Sequence, residues 1–112
     1  MSKRDIIQLS EFDITQKIIE SLSNVCTRSV LFSVKNESKD VTQIADELKI
    51  SLSTVYKTLS TLEDLALAEI DRYVISPEGK KIKLYRSRIG KVEITLDDLE
   101  PILMLYPNDS KN

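Results

Sequence analysis

Apolar positions recur along this chain with two different periods, and the change of period divides it. Up to residue 67 they return every three or four positions, the spacing that places side chains on one face of an α-helix. Ser10 and Asp13 stand three apart ahead of Ile14, Ile18 and Leu22, with Ile19 and Val25 alongside, and this predicts a first helix over about 11–23. A second is expected from Thr27, whose hydroxyl can cap it, through Val30, Leu31 and Val34, and the polar run 36–40 is the loop that ends it. Thr42 is the expected cap of a short third helix with Ile44, Ala45 and Leu48 pointing inward. Beyond the tight connection Lys49-Ile50-Ser51, a longer helix buries Val55, Leu59, Leu62 and Leu65 or Ala66. Its other face holds Leu52, Ser53, Tyr56, Lys57, Ser60 and Thr61. Two helices joined by so few residues form a helix-turn-helix candidate.

Downstream the period falls to two. AEIDRYVIS and KKIKLYRSRI alternate apolar with polar residues around the turn Ser76-Pro77-Glu78-Gly79, which predicts a β-hairpin with a basic outgoing strand. Val92 to Thr95 adds a short strand, and 96–106 reads as a short helix or a partly extended arm, interrupted at Pro101. Asp97, Asp98 and Glu100 then fit the positive end of that helix. The expected organisation is a flexible segment over 1–10, one mainly α domain with a small β-hairpin (α+β) over 11–95, and a C-terminal arm or short helix over 96–112.

Composition narrows the chemistry. A chain of 112 residues fits a single domain, and 16 basic and 18 acidic residues with only two glycines and three prolines suit a helix-rich globular fold. There is no histidine and Cys26 stands alone, so the usual zinc sites and an intrachain disulfide are excluded, and Cys26 reads as a small buried hydrophobe. With no nucleophile-base pair and no phosphate-binding glycine loop, neither an enzyme nor a cofactor is expected. No stretch approaches the roughly 20 apolar residues of a membrane span, and a reducing, cytoplasmic location is expected. The net charge of -2 conceals an asymmetry: Arg72 to Lys91 holds seven basic residues against Glu78, a local +6 that leaves -8 for the remainder.

Four stretches carry a resemblance. Asn24-Val25-Cys26-Thr27-Arg28-Ser29-Val30-Leu31 looks like the start of a second helix in which a Thr-Arg pair precedes an apolar pair. Val41 to Leu48 is similar to a positioning helix, Ile50 to Leu59 to a recognition helix, and Leu62-Glu63-Asp64-Leu65-Ala66-Leu67 to a leucine-rich exit toward a wing. Over about 24–88 the chain resembles the ArsR-like superfamily of small bacterial and archaeal winged helix-turn-helix regulators. It departs from that pattern in two places. Ala66 occupies the position commonly held by glycine, and the cysteine cluster of the metal-sensing members is absent, so metal-dependent release is not implied.

The resemblance implies double-stranded DNA as partner, a homodimer, and sequence-specific regulation of transcription, while leaving any effector unknown. Ser51, Ser53 and Thr54 are short enough to let a helix sit deep in a major groove about 12 Å wide. Tyr56, Lys57, Ser60 and Thr61 follow on the same face, and Lys80, Lys81 and Lys83 near the hairpin tip are placed to track phosphates. Arg86 and Arg88, nearer the hairpin base, are expected to pair with acids elsewhere in the chain. The apolar residues of the first helix and of Ile102 to Tyr106 exceed what one small core needs and point to a twofold contact. Overall acidity also suits a winged-helix module that docks on a larger transcription or replication assembly through the same surface.

Overall fold

A computed structural model describes residues 14–110. A first helix, α1, occupies 14–23, and the capping pair Ser10 and Asp13 and the segment 1–10 lie outside the described residues. Then come α2 (Val25–Ser33), α3 (Val41–Leu48) and α4 (Leu52–Asp64), followed by strands β1 (Ala68–Ile75), β2 (Lys81–Ser87), β3 (Ile89–Thr95) and β4 (Ile102–Pro107).

Two helices begin earlier than their hydroxyl residues suggest. The cap of α2 is Asn24, whose side chain accepts from the Thr27 amide at 3.0 Å, so Thr27 lies within the first turn. The cap of α3 is Asp40, not Thr42. Its carboxylate accepts from the Gln43 amide at 2.8 Å while Gln43 Oε1 accepts from the Asp40 amide at 2.9 Å. This reciprocal pair satisfies two amides, where a threonine cap two residues later would satisfy one, which explains why Thr42 loses the position.

Both ends of the helix-turn-helix use left-handed residues. Lys49 takes φ 59° and lets the Ile50 amide close back on the Ala45 carbonyl at 3.1 Å. Ala66 also takes φ 59°, with Ala66 N–H donating to Glu63 O (2.9 Å) and Leu67 N–H to Leu62 O (2.8 Å). That is a complete Schellman cap without its customary glycine, formed against a Cβ penalty of about 1 kcal/mol.

The core gathers on the inner faces of all four helices. Val30, Leu31 and Val34 from α2 and its cap, Ile44 and Ala45 from α3, and Val55, Leu59 and Leu62 from α4 enclose Ile18 and Leu22 of α1. Each fully buried aliphatic side chain contributes roughly 1.5–3 kcal/mol. Leu65, not Ala66, continues the inward stripe of α4. Ile14 and Val25, expected beside that core, are 55% and 66% exposed, and Cys26 is half-buried.

The strands make two antiparallel hairpins. In the first, β1 pairs with β2 with a register shift between Ile70 and Arg72, and Gly79 at φ +84° turns the chain so that Ser76 N–H reaches Lys80 O. Lys39 in the α2–α3 loop exchanges both backbone hydrogen bonds with Tyr85, Ser87 N–H reaches Val34 O, and Ser38 Oγ donates to the Asp71 carboxylate at 2.7 Å. The base of this hairpin is therefore sewn to the helical core.

The second hairpin corrects the sequence reading. Of the two expected forms, short helix or partly extended arm, residues 102–107 take the extended one, as a regular strand, β4, paired antiparallel with β3. Pro101 precedes it and Pro107 ends it, positions where the missing N–H is tolerated. Asp97, Asp98 and Glu100 lie in the connecting turn instead of at a helix start. Gly90 lets the strands close: a Cβ there would stand 3.0 Å from Pro107 O. Asn108 then folds back, its Nδ2 donating to Lys35 O and Ser87 O, both at 2.8 Å.

Candidate nucleic-acid interface

The helix α4 forms because an apolar residue recurs on one side while small hydroxyl residues and good helix formers fill the rest. Val55, Leu59 and Leu62 are at or below 1% exposure, and this fixes the rotation of the helix about its axis. Ser53, Tyr56, Lys57, Ser60 and Thr61 consequently face outward, with Tyr56 57% exposed, and Thr54 lies at the boundary. From Ser51 to Thr61 this face runs for about 15 Å at 1.5 Å per residue.

Ser51 has a structural duty. It is the N-cap of α4, and its Oγ accepts from the Thr54 amide at 3.2 Å while sharing hydrogen bonds with Ser53 Oγ (3.1 Å) and Thr54 Oγ1 (2.8 Å). Three hydroxyls thus form one polar cluster at the positive end of the helix, where its amides attract anions. Thr61 Oγ1 instead donates back to Lys57 O at 3.2 Å, within the helix.

The hairpin brings its lysines to the same side. Tyr56 shares an open cleft of about 530 Å³ with Lys80, Lys81, Lys83 and Tyr85 of the hairpin and with Asp40 and Thr42 at the start of α3. Lys81 Nζ lies 4.2 Å from the centre of the Tyr73 ring, a cation-π contact that orders the side chain while leaving its ammonium charged. Burial raises the Tyr85 phenol above its ordinary 10.0, so that it stays protonated beside these lysines.

Several other cations are committed to acids. Lys39 pairs with Glu47 (2.6 Å), Arg72 with Asp71 (2.7 Å), Arg88 with Glu69 (3.8 Å) and Lys91 with Glu93 (3.4 Å). The expected pairing of Arg88 with an acid is thus met, whereas Arg86 donates to the Ser110 carbonyl. Among the described residues, Lys57, Lys80, Lys81 and Lys83 have no ion-pair partner within 4.0 Å. Uncompensated positive charge therefore stands on the outer face of α4 and along the hairpin beside it.

Of the ten predicted positions, Tyr56, Lys80, Lys81 and Lys83 line that cleft and Ser51, Ser53, Thr54, Lys57, Ser60 and Thr61 do not, while Asp40, Val41, Thr42, Ile82 and Tyr85 join it without having been predicted. Ser60 and Thr61 lie a turn or more farther along α4. Thr42, read from the sequence as a cap, is released by Asp40 and lines the cleft. The Asp40-x-x-Gln43 spacing carried the signal for that exchange.

A four-helix unit whose last two helices meet in a short left-handed turn, followed by a hairpin laid beside the outer face of the second, is a winged helix-turn-helix. A solved structure of that fold agrees: the homodimeric winged helix-turn-helix DNA-binding domain from Mycobacterium bovis, described as a possible ArsR-family transcriptional regulator, superposes with a TM-score of 0.58. It is 22% identical and covers 78% of this chain and 72% of its own. Residues 28–69 match the bacterial regulatory protein, arsR family. An uncharacterized HTH-type transcriptional regulator from Methanocaldococcus jannaschii is 32% identical over 93 residues, spanning 83% of this chain and 93% of that protein. The chain belongs to the arsR family of helix-turn-helix transcriptional regulators, which are DNA-binding proteins and not enzymes. Among the described residues no helix is long and apolar enough to cross a membrane.

Proposed function

We propose that this protein binds duplex DNA sequence-specifically as a homodimer, with α4 in the major groove and the β1–β2 hairpin on the flanking backbone. The observation that carries this reading is the bare outer face of α4 standing beside lysines that have no ion-pair partner among the described residues. Ser53 and Thr54 offer short hydroxyls to base edges or phosphates, Tyr56 a phenol and an apolar ring face, and Lys57 an ammonium for guanine or phosphate oxygen. Ser51 contributes chiefly through the amides it helps to present, and Ser60 and Thr61 reach the backbone at the far edge of the groove. Lys80, Lys81 and Lys83 supply sequence-independent attraction, each phosphate contact steepening the fall of affinity with salt.

Two copies related by a dyad place their α4 helices in successive major grooves, half-sites roughly 34–36 Å apart, so the operator is a near-palindrome. The homodimeric state of the Mycobacterium bovis domain supports that arrangement. The test is selection of bound fragments from the source genome, followed by titration of the recovered duplex and a scrambled one. Tyr56→Ala and Lys57→Ala are expected to erase about 1–3 kcal/mol of discrimination each. Equal affinity of the wild-type chain for both duplexes contradicts the reading.

A further inference from the structure

The second hairpin presents an edge that no other strand covers among the described residues. Its sheet has two strands only, so β3 and β4 each have a free edge, and of the two only β3 carries charges, Lys91 and Glu93. Protein edges of this kind usually carry a lysine, a bulge or an inward charge to prevent pairing. Here Ile102-Leu103-Met104-Leu105-Tyr106 holds no charge, and a lone two-stranded ribbon is marginal in water. We infer that a second copy of the chain joins at this edge, β4 pairing antiparallel with its twin about a twofold axis through Met104. This rests on the homodimeric reading above and names the surface that makes the dimer.

Three features favour the chain itself as the occupant. First, Pro101 and Pro107 are each three residues from Met104. An antiparallel pairing centred there sets Leu103 opposite Leu105, Ile102 opposite Tyr106, and each proline opposite the other, so the ladder ends in register on both sides. Second, the two faces sort correctly. Ile102, Met104 and Tyr106 share a face with Thr95, Glu93 and Lys91 of β3, so pairing builds an apolar central stripe flanked by polar rows. The opposite face joins Leu103 and Leu105 to Val92 and Ile94, part of which already rests on the core.

Third, the charges complement one another head to tail. Antiparallel pairing brings the turn of one hairpin, with Asp97, Asp98 and Glu100 and a 91% exposed Leu99, toward the strand base of the other. That base has a shallow groove lined by Lys35, Tyr106 and Pro107 and by Lys91, which is paired with Glu93, against a single lining acid, Asp109. The Glu93 carboxyl is held low by the Tyr106 hydroxyl and by Lys91, which keeps the flanking row charged and out of the stripe.

The test uses the full chain carrying Cys26→Ala with Met104→Cys. Residues facing each other across an antiparallel dyad have Cα atoms about 4.5–5.5 Å apart, within disulfide reach. Mild oxidation should give a nearly complete covalent dimer, while Cys26→Ala with Glu78→Cys, at the tip of the other hairpin, stays monomeric on the same gel. Met104→Arg, with like charges facing at the axis, should shift the mass in sedimentation from dimer to monomer without changing the helical circular dichroism. A chain that is a dimer by mass yet fails to cross-link when it carries Met104→Cys overturns this surface and leaves the homodimeric reading intact. A monomer at every concentration overturns both, and DNA titration of that monomer judges the remaining part of the functional reading separately.

Discussion

The two hairpins differ in chemistry more than in shape. The first, β1–β2, runs from a buried base to a solvated tip: Leu84, Tyr85 and Ser87 are buried while Lys80, Lys81 and Lys83 stand in solvent. The second, β3–β4, places its charges on β3 and leaves β4 without any. A ribbon that offers cations along a fixed ladder suits a polyanion, which attracts at a distance and tolerates water. A ribbon that offers a bare apolar edge suits a surface that excludes water and supplies backbone partners. One motif thus suits two kinds of contact, and the side-chain pattern decides which.

The sharpest way to break the distinction is to loosen the point where the hairpins meet. Leu67 is fully buried and its carbonyl accepts from Arg88 N–H at 2.9 Å, between β2 and β3. Leu67→Ala should cost about 2–5 kcal/mol and shift the urea midpoint for both hairpins together. Separate transitions in hydrogen exchange would show instead that they are anchored independently.

A smaller change should separate them. Gly90→Ala drives a Cβ to 3.0 Å from Pro107 O, so the backbone of β4 must give way. About 1–3 kcal/mol of destabilisation is expected, confined to exchange protection in β3 and β4. Amides of β1 and β2 losing protection equally would contradict that confinement.

The first hairpin has its own tether in Ser38 and Asp71. The Ser38 hydroxyl, with help from Arg72, holds the Asp71 carboxyl below its ordinary 3.8, against a smaller desolvation effect. A carboxyl lowered by folding adds stability that is present above its unfolded value and is lost as pH falls through its folded one. Asp71→Asn should therefore remove about 1 kcal/mol at pH 7 and less in the acid limb of a denaturation series. An equal loss at all pH values would deny the tether its charge.

The smallest effect has the opposite sign. Ala66 occupies a left-handed position that favours glycine, so Ala66→Gly should stabilise the fold by about 0.5–1 kcal/mol in chemical denaturation. A loss of stability would mean that chain entropy outweighs the strain.

How much of the molecule is legible in its residues varies with the range of the interaction. The stripe Val55-Leu59-Leu62 tells which side of α4 faces water because it depends only on the helical period. Hydroxyl residues place two caps late, at Thr27 and Thr42, since Asn24 and Asp40 cap the amides of Thr27 and Gln43 and so start the helices earlier, Asp40 with a reciprocal bond from Gln43. The strand β4 is hidden because ILMLYP has no period at all, and its partner strand lies across a turn. The nearness of Thr42 to Tyr56 and Lys83 depends on the tertiary packing of three elements, which spacing along the chain does not encode.

DNA binding, as proposed, depends above all on the cationic cleft beside α4. The most direct measurement is the slope of log affinity against log salt for the full chain on duplex DNA, taken for wild type and for Lys80→Ala, Lys81→Ala and Lys83→Ala combined. Each lost phosphate contact lowers the slope by about 0.9, so the triple variant should bind with a slope shallower by about 2–3 and an unchanged denaturation midpoint. A slope identical to wild type would place the DNA elsewhere on the molecule.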